Sequence, residues 1–195
     1  MNRTEPLVVS GAHVAPGSLA ARRLLAIVAG AAVVALAAQV AVPLPFTPVP
    51  MTLQPLAVLV VGGVLGARLG AAALVLYVAF GALGLPVFAP VGPPGAARLL
   101  GPTGGYLLAY PLAAAVVGWI AARGEGRRVA RVLLGCAAGM VVIHLGGSAQ
   151  LAILTGDVGA AARFGLVPFL TGDLLKIGIA ALIILALGRR VHSRL

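Results

Sequence analysis

Lys176 is the only lysine in a chain of formal charge +10, and it lies in an apolar stretch three residues after Asp173, one of four acidic residues. The run Pro168-Phe169-Leu170-Thr171-Gly172-Asp173-Leu174-Leu175-Lys176 continues into Ile177-Gly178-Ile179-Ala180-Ala181-Leu182-Ile183-Ile184-Leu185. An ionisable side chain at the centre of a membrane helix costs about 2.5–3.5 kcal/mol on insertion scales. Two of opposite sign at i and i+3 share a helix face, so they make a place where a carboxylate acceptor and an ammonium donor stand side by side. That chemistry suits a small polar solute. The competing readings are an internal ion pair that pins the helix to its neighbours, or a proton relay, which would call for a chain of acids or histidines.

The elements that must position this pair are membrane helices. Hydrophobic residues make up 61% of the chain and charged residues 9%, the mean hydropathy is +1.12, and a soluble domain carries about 25% charged residues. Apolar windows fall at 24–42, 53–67, 69–85, 104–122, 130–154 and 165–188. A span needs about 20 helical residues. The second and third windows are short and flank Arg68, which predicts a tight turn at Gly66-Ala67-Arg68 joining two short helices. The expected fold is all-α: a six-helix membrane domain over 22–190, with tails at 1–21 and 191–195.

Six spans put both tails on one side. Arg3, Arg22, Arg23, Arg68, Arg123, Arg127, Arg128, Arg131, Arg189, Arg190 and Arg194 fall on the tail side and only Arg98 and Arg163 on the other, so the tails are expected to be cytoplasmic. Arg22-Arg23 followed by Ala35-Leu36-Ala37 has the outline of a signal peptide, but the polar leader and the apolar continuation to Val42 favour an uncleaved helix. With the last helix starting near Pro168, which suits a first turn, Asp173 and Lys176 lie in the outer half of the membrane, about 7–8 Å and about 12 Å in from its end.

The outer connections are the elaborate ones. Pro43-Leu44-Pro45-Phe46-Thr47-Pro48-Val49-Pro50 should be extended and stiff, because its prolines fix φ. The long segment from Pro86 to Thr103 reads as a lid. Gly101-Pro102-Thr103-Gly104-Gly105-Tyr106 opens the fourth helix, where glycines let backbone approach a ligand and the first N–H groups are free. Thr52 and Gln54 open the second helix. Gly62, Gly66 and Gly70, and Gly135 and Gly139, read as internal helix packing at small-xxx-small spacing. Ala31 and Ala35 in the first helix form a candidate docking face for a partner subunit.

Other classes fit poorly. The arginines flank apolar segments and form no stripe for nucleic acid. Cys136 with His13, His144 and His192 offers no metal spacing, and no cofactor motif is present. His144 alone reads as a core histidine. His144 and Ser148 at i and i+4 suggest an intramembrane hydrolase only faintly, since nothing supplies the orienting group and the oxyanion hole. A self-sufficient proton-coupled carrier is the stronger alternative. With no Gly-Lys-Ser/Thr phosphate loop, active transport would need a borrowed energy source.

Four segments occur in order and together resemble the BioY family, the biotin-binding S components of energy-coupling-factor transporters. They are Val49-Pro50-Met51-Thr52-Leu53-Gln54-Pro55, Gly84-Leu85-Pro86-Val87-Phe88, Gly101-Pro102-Thr103-Gly104-Gly105-Tyr106-Leu107 and Gly172-Asp173-Leu174-Leu175-Lys176. The resemblance implies six helices in a bacterial plasma membrane, no catalysis, and biotin captured from outside. It also implies a transmembrane coupling protein and a pair of ATPase subunits as partners. It places Asp173 and Lys176 on biotin; Arg98, one of the two outer arginines, reads as the spare cation for whichever end Lys176 leaves unpaired. Gln54, Phe88, Thr103, Gly104, Gly105 and Tyr106 would complete the pocket. Two departures stand out: a loop made more proline-rich by Ala89-Pro90 and Pro93-Pro94, and Gln150 where an aromatic is common.

Overall fold

Apolar length turns into helix along nearly the whole chain. The structure, a computed structural model, describes residues 16–123 and 127–192. Five helical stretches are long and apolar enough to cross a membrane: Leu19–Gln39, Gln54–Ala82, Gly104–Ala121, Arg128–Thr155 and Val158–Gly188. In chain order the helices are α1 (Pro16–Gln39), α2 (Gln54–Ala82), α3 (Ala97–Leu100), α4 (Gly104–Ala121), α5 (Arg128–Thr155), α6 (Val158–Gly165) and α7 (Leu170–His192). The last apolar stretch therefore holds three pieces, with the 3-10 turn Val167–Phe169 between α6 and α7.

The count of six apolar arms comes from α2. At Gly66 the backbone takes φ 82° and ψ 172°, a region open essentially only to glycine. The chain reverses there, and a Cβ on Gly70 would lie 2.9 Å from the Cα of Gly62. Arms 54–65 and 67–82 thus run antiparallel, which is the tight turn the sequence predicts. The α2 hairpin packs on α4 backbone to backbone: a Cβ on Gly62 would stand 2.5 Å from the Ala114 carbonyl oxygen, and one on Gly118 would meet Gly66 and Ala67. Lipid-embedded helices gain their association energy from such close approach.

Helix ends differ from expectation in instructive ways. α1 begins at Pro16, inside the segment assigned to a tail, and its last turn gives way to a two-stranded ladder, β1 (Ala41–Val42) with β2 (Met51–Thr52), antiparallel with Ala41 opposite Thr52. The proline segment 43–50 is the loop of that hairpin. α6 is capped by Asp157, whose carboxylate accepts from the Gly159 N–H at 2.7 Å, where the sequence reading placed only a connection. α7 starts at Leu170 and not at Pro168, so Asp173 lies in its first turn and shallower than expected. The helix dipole favours a carboxylate at that place.

Ala31 requires a correction. It is buried in the core at 4% exposure, on the face of α1 that meets α2, where a Cβ on the adjoining Gly30 would touch Ala73 and Leu65. Ala35 is half-buried and packs against the same core. The Ala31/Ala35 stripe is thus occupied within the bundle, and the exposed face of α1 carries Leu25, Val28 and Leu36 instead.

Candidate functional site

Membrane-spanning helices leave few polar side chains inside, and the four buried ones among the described residues, Gln54, Arg98, Asp173 and Lys176, all line one cavity. It lies at the end of the bundle that holds the β1–β2 hairpin, α3 and α6. The empty space is about 570 Å³, part of it open to solvent. This is a narrow chamber with room for a few water molecules or a slim organic group.

Its charged pole is built by α7. Lys176 Nζ donates to Asp173 Oδ1 at 2.9 Å, as i,i+3 geometry demands. A second helix contributes what the sequence reading missed: His144 of α5 is 2.6 Å from Asp173 Oδ2 through Nε2. An ionised carboxylate only accepts, so Nε2 carries the proton. The imidazole packs edge-on to Tyr106, centroids 6.2 Å apart, and tilted on Phe169 at 6.3 Å. His144 and Asp173 also line an apolar groove between α5, α6 and α7, so the two side chains form part of the wall between that groove and the chamber. The usable signal for His144 was its depth in an apolar helix, since ionisable groups there are costly.

The other predicted residues divide. Gln54, at the start of α2, accepts from Tyr110 Oη through Oε1 at 3.0 Å, and its backbone N–H donates to Thr52 Oγ1 at 3.3 Å. Gln54, Thr52 and Tyr110 all line the chamber. Phe88 and Thr103 line it too, as does Tyr106, whose Oη donates to the Gly165 carbonyl at 2.6 Å and ties α4 to the end of α6. Arg98 reaches the chamber, but two of its donors are spent on the loop: Nε on Pro93 O at 2.8 Å and Nη2 on Ala89 O at 2.9 Å. Burial lowers its pKa from the ordinary arginine value, with Tyr77 acting the other way, and a guanidinium still stays charged.

Gly104 and Gly105 are not in the chamber wall. A Cβ on Gly104 would strike the Leu99 carbonyl and the Gln150 side chain, and one on Gly105 the Gly146 carbonyl. Both are helix-contact glycines that let α4 lie against α5 and α3. Gln150 serves the same corner, where Nε2 donates to Leu99 O at 2.9 Å and Gly101 O at 2.7 Å. The remaining wall is apolar, from Val49 and Pro50 of the hairpin loop, Leu107 of α4, Ile143 of α5 and Phe169. The chamber thus offers one carboxylate, one ammonium, one guanidinium and a carboxamide around an apolar body.

Similarity to known proteins agrees with this geometry. The BioY family model matches residues 9–193. The biotin transporter BioY of Thermotoga maritima is 42% identical over 144 residues, 74% of this chain and 83% of that protein. The probable biotin transporter BioY of Pyrococcus horikoshii is 40% identical over 136 residues, 70% of this chain and 78% of that one. The crystal structure of the S-component for biotin from an ECF-type ABC transporter shares the fold, with a TM-score of 0.77 at 24% identity, covering 90% of this chain and 93% of that one. A match spanning the whole membrane domain, on a fold with the same architecture, shows that this chain belongs to the BioY family.

Proposed function

We propose that this chain is the substrate-capturing membrane subunit of a vitamin uptake transporter, and that its ligand is biotin, held in the chamber described above. The observation that carries the reading is a buried Asp173–Lys176 pair facing an unfilled space, in a family whose relatives are named biotin transporters. Biotin brings a ureido ring with two N–H donors and one carbonyl acceptor, an apolar sulfur-containing body and a carboxylate tail. Asp173 accepts a ureido N–H, and Lys176 donates to the ureido carbonyl or to the tail carboxylate. Arg98 supplies a cation for the end that Lys176 leaves. Phe88, Tyr106, Leu107 and Phe169 enclose the apolar body, with Gln54 and Thr103 as neutral polar contacts.

The chamber faces the outside in this reading. Arg22, Arg23, Arg68, Arg123, Arg127, Arg128 and Arg131 all lie at the opposite end of the bundle, while Arg98 and Arg163 lie at the chamber end, and basic residues are retained on the cytoplasmic side. The protein then sits in the plasma membrane with its termini inside. Energy comes from an ATPase pair acting through a transmembrane coupling protein, because the chain has no nucleotide-binding motif of its own.

Calorimetric titration of the purified protein tests the assignment. Wild type binds biotin. Asp173→Asn and Lys176→Met each weaken it at least about 100-fold, because a hydrogen bond to a charged group is worth about 1.5–3 kcal/mol and the unmatched partner charge adds to the loss. Unchanged affinity in both variants rejects the site. A wild-type protein that ignores biotin rejects the ligand.

A further inference from the structure

The Asp173–Lys176 pair is already electrically balanced, which makes the third member of the cluster informative. His144 holds the carboxylate through Nε2, and its other ring nitrogen, Nδ1, is buried with no hydrogen-bonding partner in the protein. The ring's hydrogen bond goes to Asp173 alone. What it supplies is a direction. Lys176 has three donors on a flexible stem and by itself could swing across both carboxylate oxygens. With His144 Nε2 on Oδ2 at 2.6 Å and Lys176 on Oδ1 at 2.9 Å, each donor takes one oxygen. A carboxylate has about four lone-pair sites, so roughly two remain for a third party. The imidazole plane is itself set from outside the cluster, by Tyr106 on one side and Phe169 on the other.

We propose that His144 is a positioning residue for ligand capture: it fixes the plane of the Asp173 carboxylate so that its free lone pairs face the N–H donors of a cyclic urea in the chamber. The inference rests on the biotin reading for its ligand and on the α5–α7 geometry for its mechanism. His144 itself need not touch the ligand.

Three variants and one spectrum test it. His144→Leu keeps an apolar body between Tyr106 and Phe169 but removes the donor, and it weakens biotin binding about 10- to 100-fold with the ligand-free unfolding temperature unchanged within a few degrees. His144→Gln restores a side-chain N–H at similar reach and returns the affinity to within about threefold of wild type. A role in packing alone would not separate these two. Histidine ¹⁵N spectra of the ligand-free protein, assigned with the Gln variant, show the Nε2-protonated tautomer, and Asp173→Asn shifts those signals. Wild-type affinity in His144→Leu, a Gln variant as weak as the Leu variant, or an Nδ1-protonated tautomer overturns the proposal. If wild type fails to bind biotin while the tautomer and its response to Asp173→Asn are as stated, the ligand assignment has failed and the positioning geometry stands.

Discussion

The two ends of this bundle solve opposite problems. At the Gly66 end, glycines bring α2 and α4 together until no side chain fits between those two helices, and the cleft left beside them is lined by Gly63, Gly118, Val132, Ile184 and Arg128. Gly62 lies against the backbone of Ala114 and Gly118 against the Gly66 turn. Among the described residues no acid lies there; Arg123 lies over the Trp119 ring at 3.0 Å, and Arg128 donates to the Leu185 and Ile184 carbonyls of α7. At the chamber end, larger side chains surround an unfilled space, and the buried side chains of Gln54, Arg98, Asp173 and Lys176 gather on its wall. The difference lies in what faces the interior: glycine-to-backbone contacts at one end and the buried charges at the other. A buried ion pair is weak evidence for stability, because desolvation offsets most of its attraction. Its place on the chamber wall is the basis of the binding role proposed above.

The strongest way to break the comparison is to put a side chain into the glycine contacts. Gly62→Val places methyl groups against backbone atoms that cannot move aside, and should cost about 3 kcal/mol or more. The expected outcome is little folded protein in detergent, measured by thermal unfolding and gel filtration. A variant that folds and binds biotin as wild type would show that the two halves are not unequal.

The next test asks what the chamber charges do for the fold. Replacing the whole cluster together, Asp173→Leu with Lys176→Met and His144→Leu, removes the desolvation cost along with the attraction and leaves no buried donor unpaired. Such replacements are often neutral or stabilising by about 1–4 kcal/mol. We expect an unfolding temperature equal to or above wild type and no measurable biotin binding. A large drop in stability would mean that the pair pins α7 and that the chamber is incidental.

The smallest effect is at the cover. Thr47 Oγ1 donates to the Phe164 carbonyl at 2.7 Å and accepts from the Val49 N–H at 3.2 Å, so it fastens the hairpin loop to α6. Thr47→Val removes a neutral hydrogen bond worth about 1 kcal/mol. Stopped-flow measurements should show biotin release faster by about fivefold with the unfolding temperature nearly unchanged. No change in release would mean that loop 43–50 is not part of the cover.

The features readable from residue types were those where lipid makes a choice expensive. Asp173 and Lys176 stood out because charge in an apolar helix has a large cost, and their i,i+3 spacing alone put them in contact. The Gly66 turn could be inferred because two apolar windows, each too short to cross easily, flank Arg68. Contacts between helices were a different matter. These helices are apolar on every side, so sequence periodicity does not say which face looks inward. That is why Ala31 was assigned to a partner when it faces α2, why Gly104 and Gly105 were assigned to a ligand when they face α5 and α3, and why His144 was taken for an isolated core residue. The β1–β2 ladder and α6 were missed because each is too short to leave a pattern in a proline-rich or glycine-rich segment.

Residue order alone decided that the chain lives in lipid, that six apolar arms cross or nearly cross it, and that one carboxylate and one ammonium sit together in the last of them. These follow from solvation and local helix geometry, which need no knowledge of neighbours. Packing decided that a histidine 29 residues away along the chain closes on that carboxylate, that Arg98 spends two of its donors on its own loop, and that an unfilled chamber remains between them. Those outcomes depend on how rigid helices fit against one another, and shape complementarity across a bundle is a property of the assembled fold.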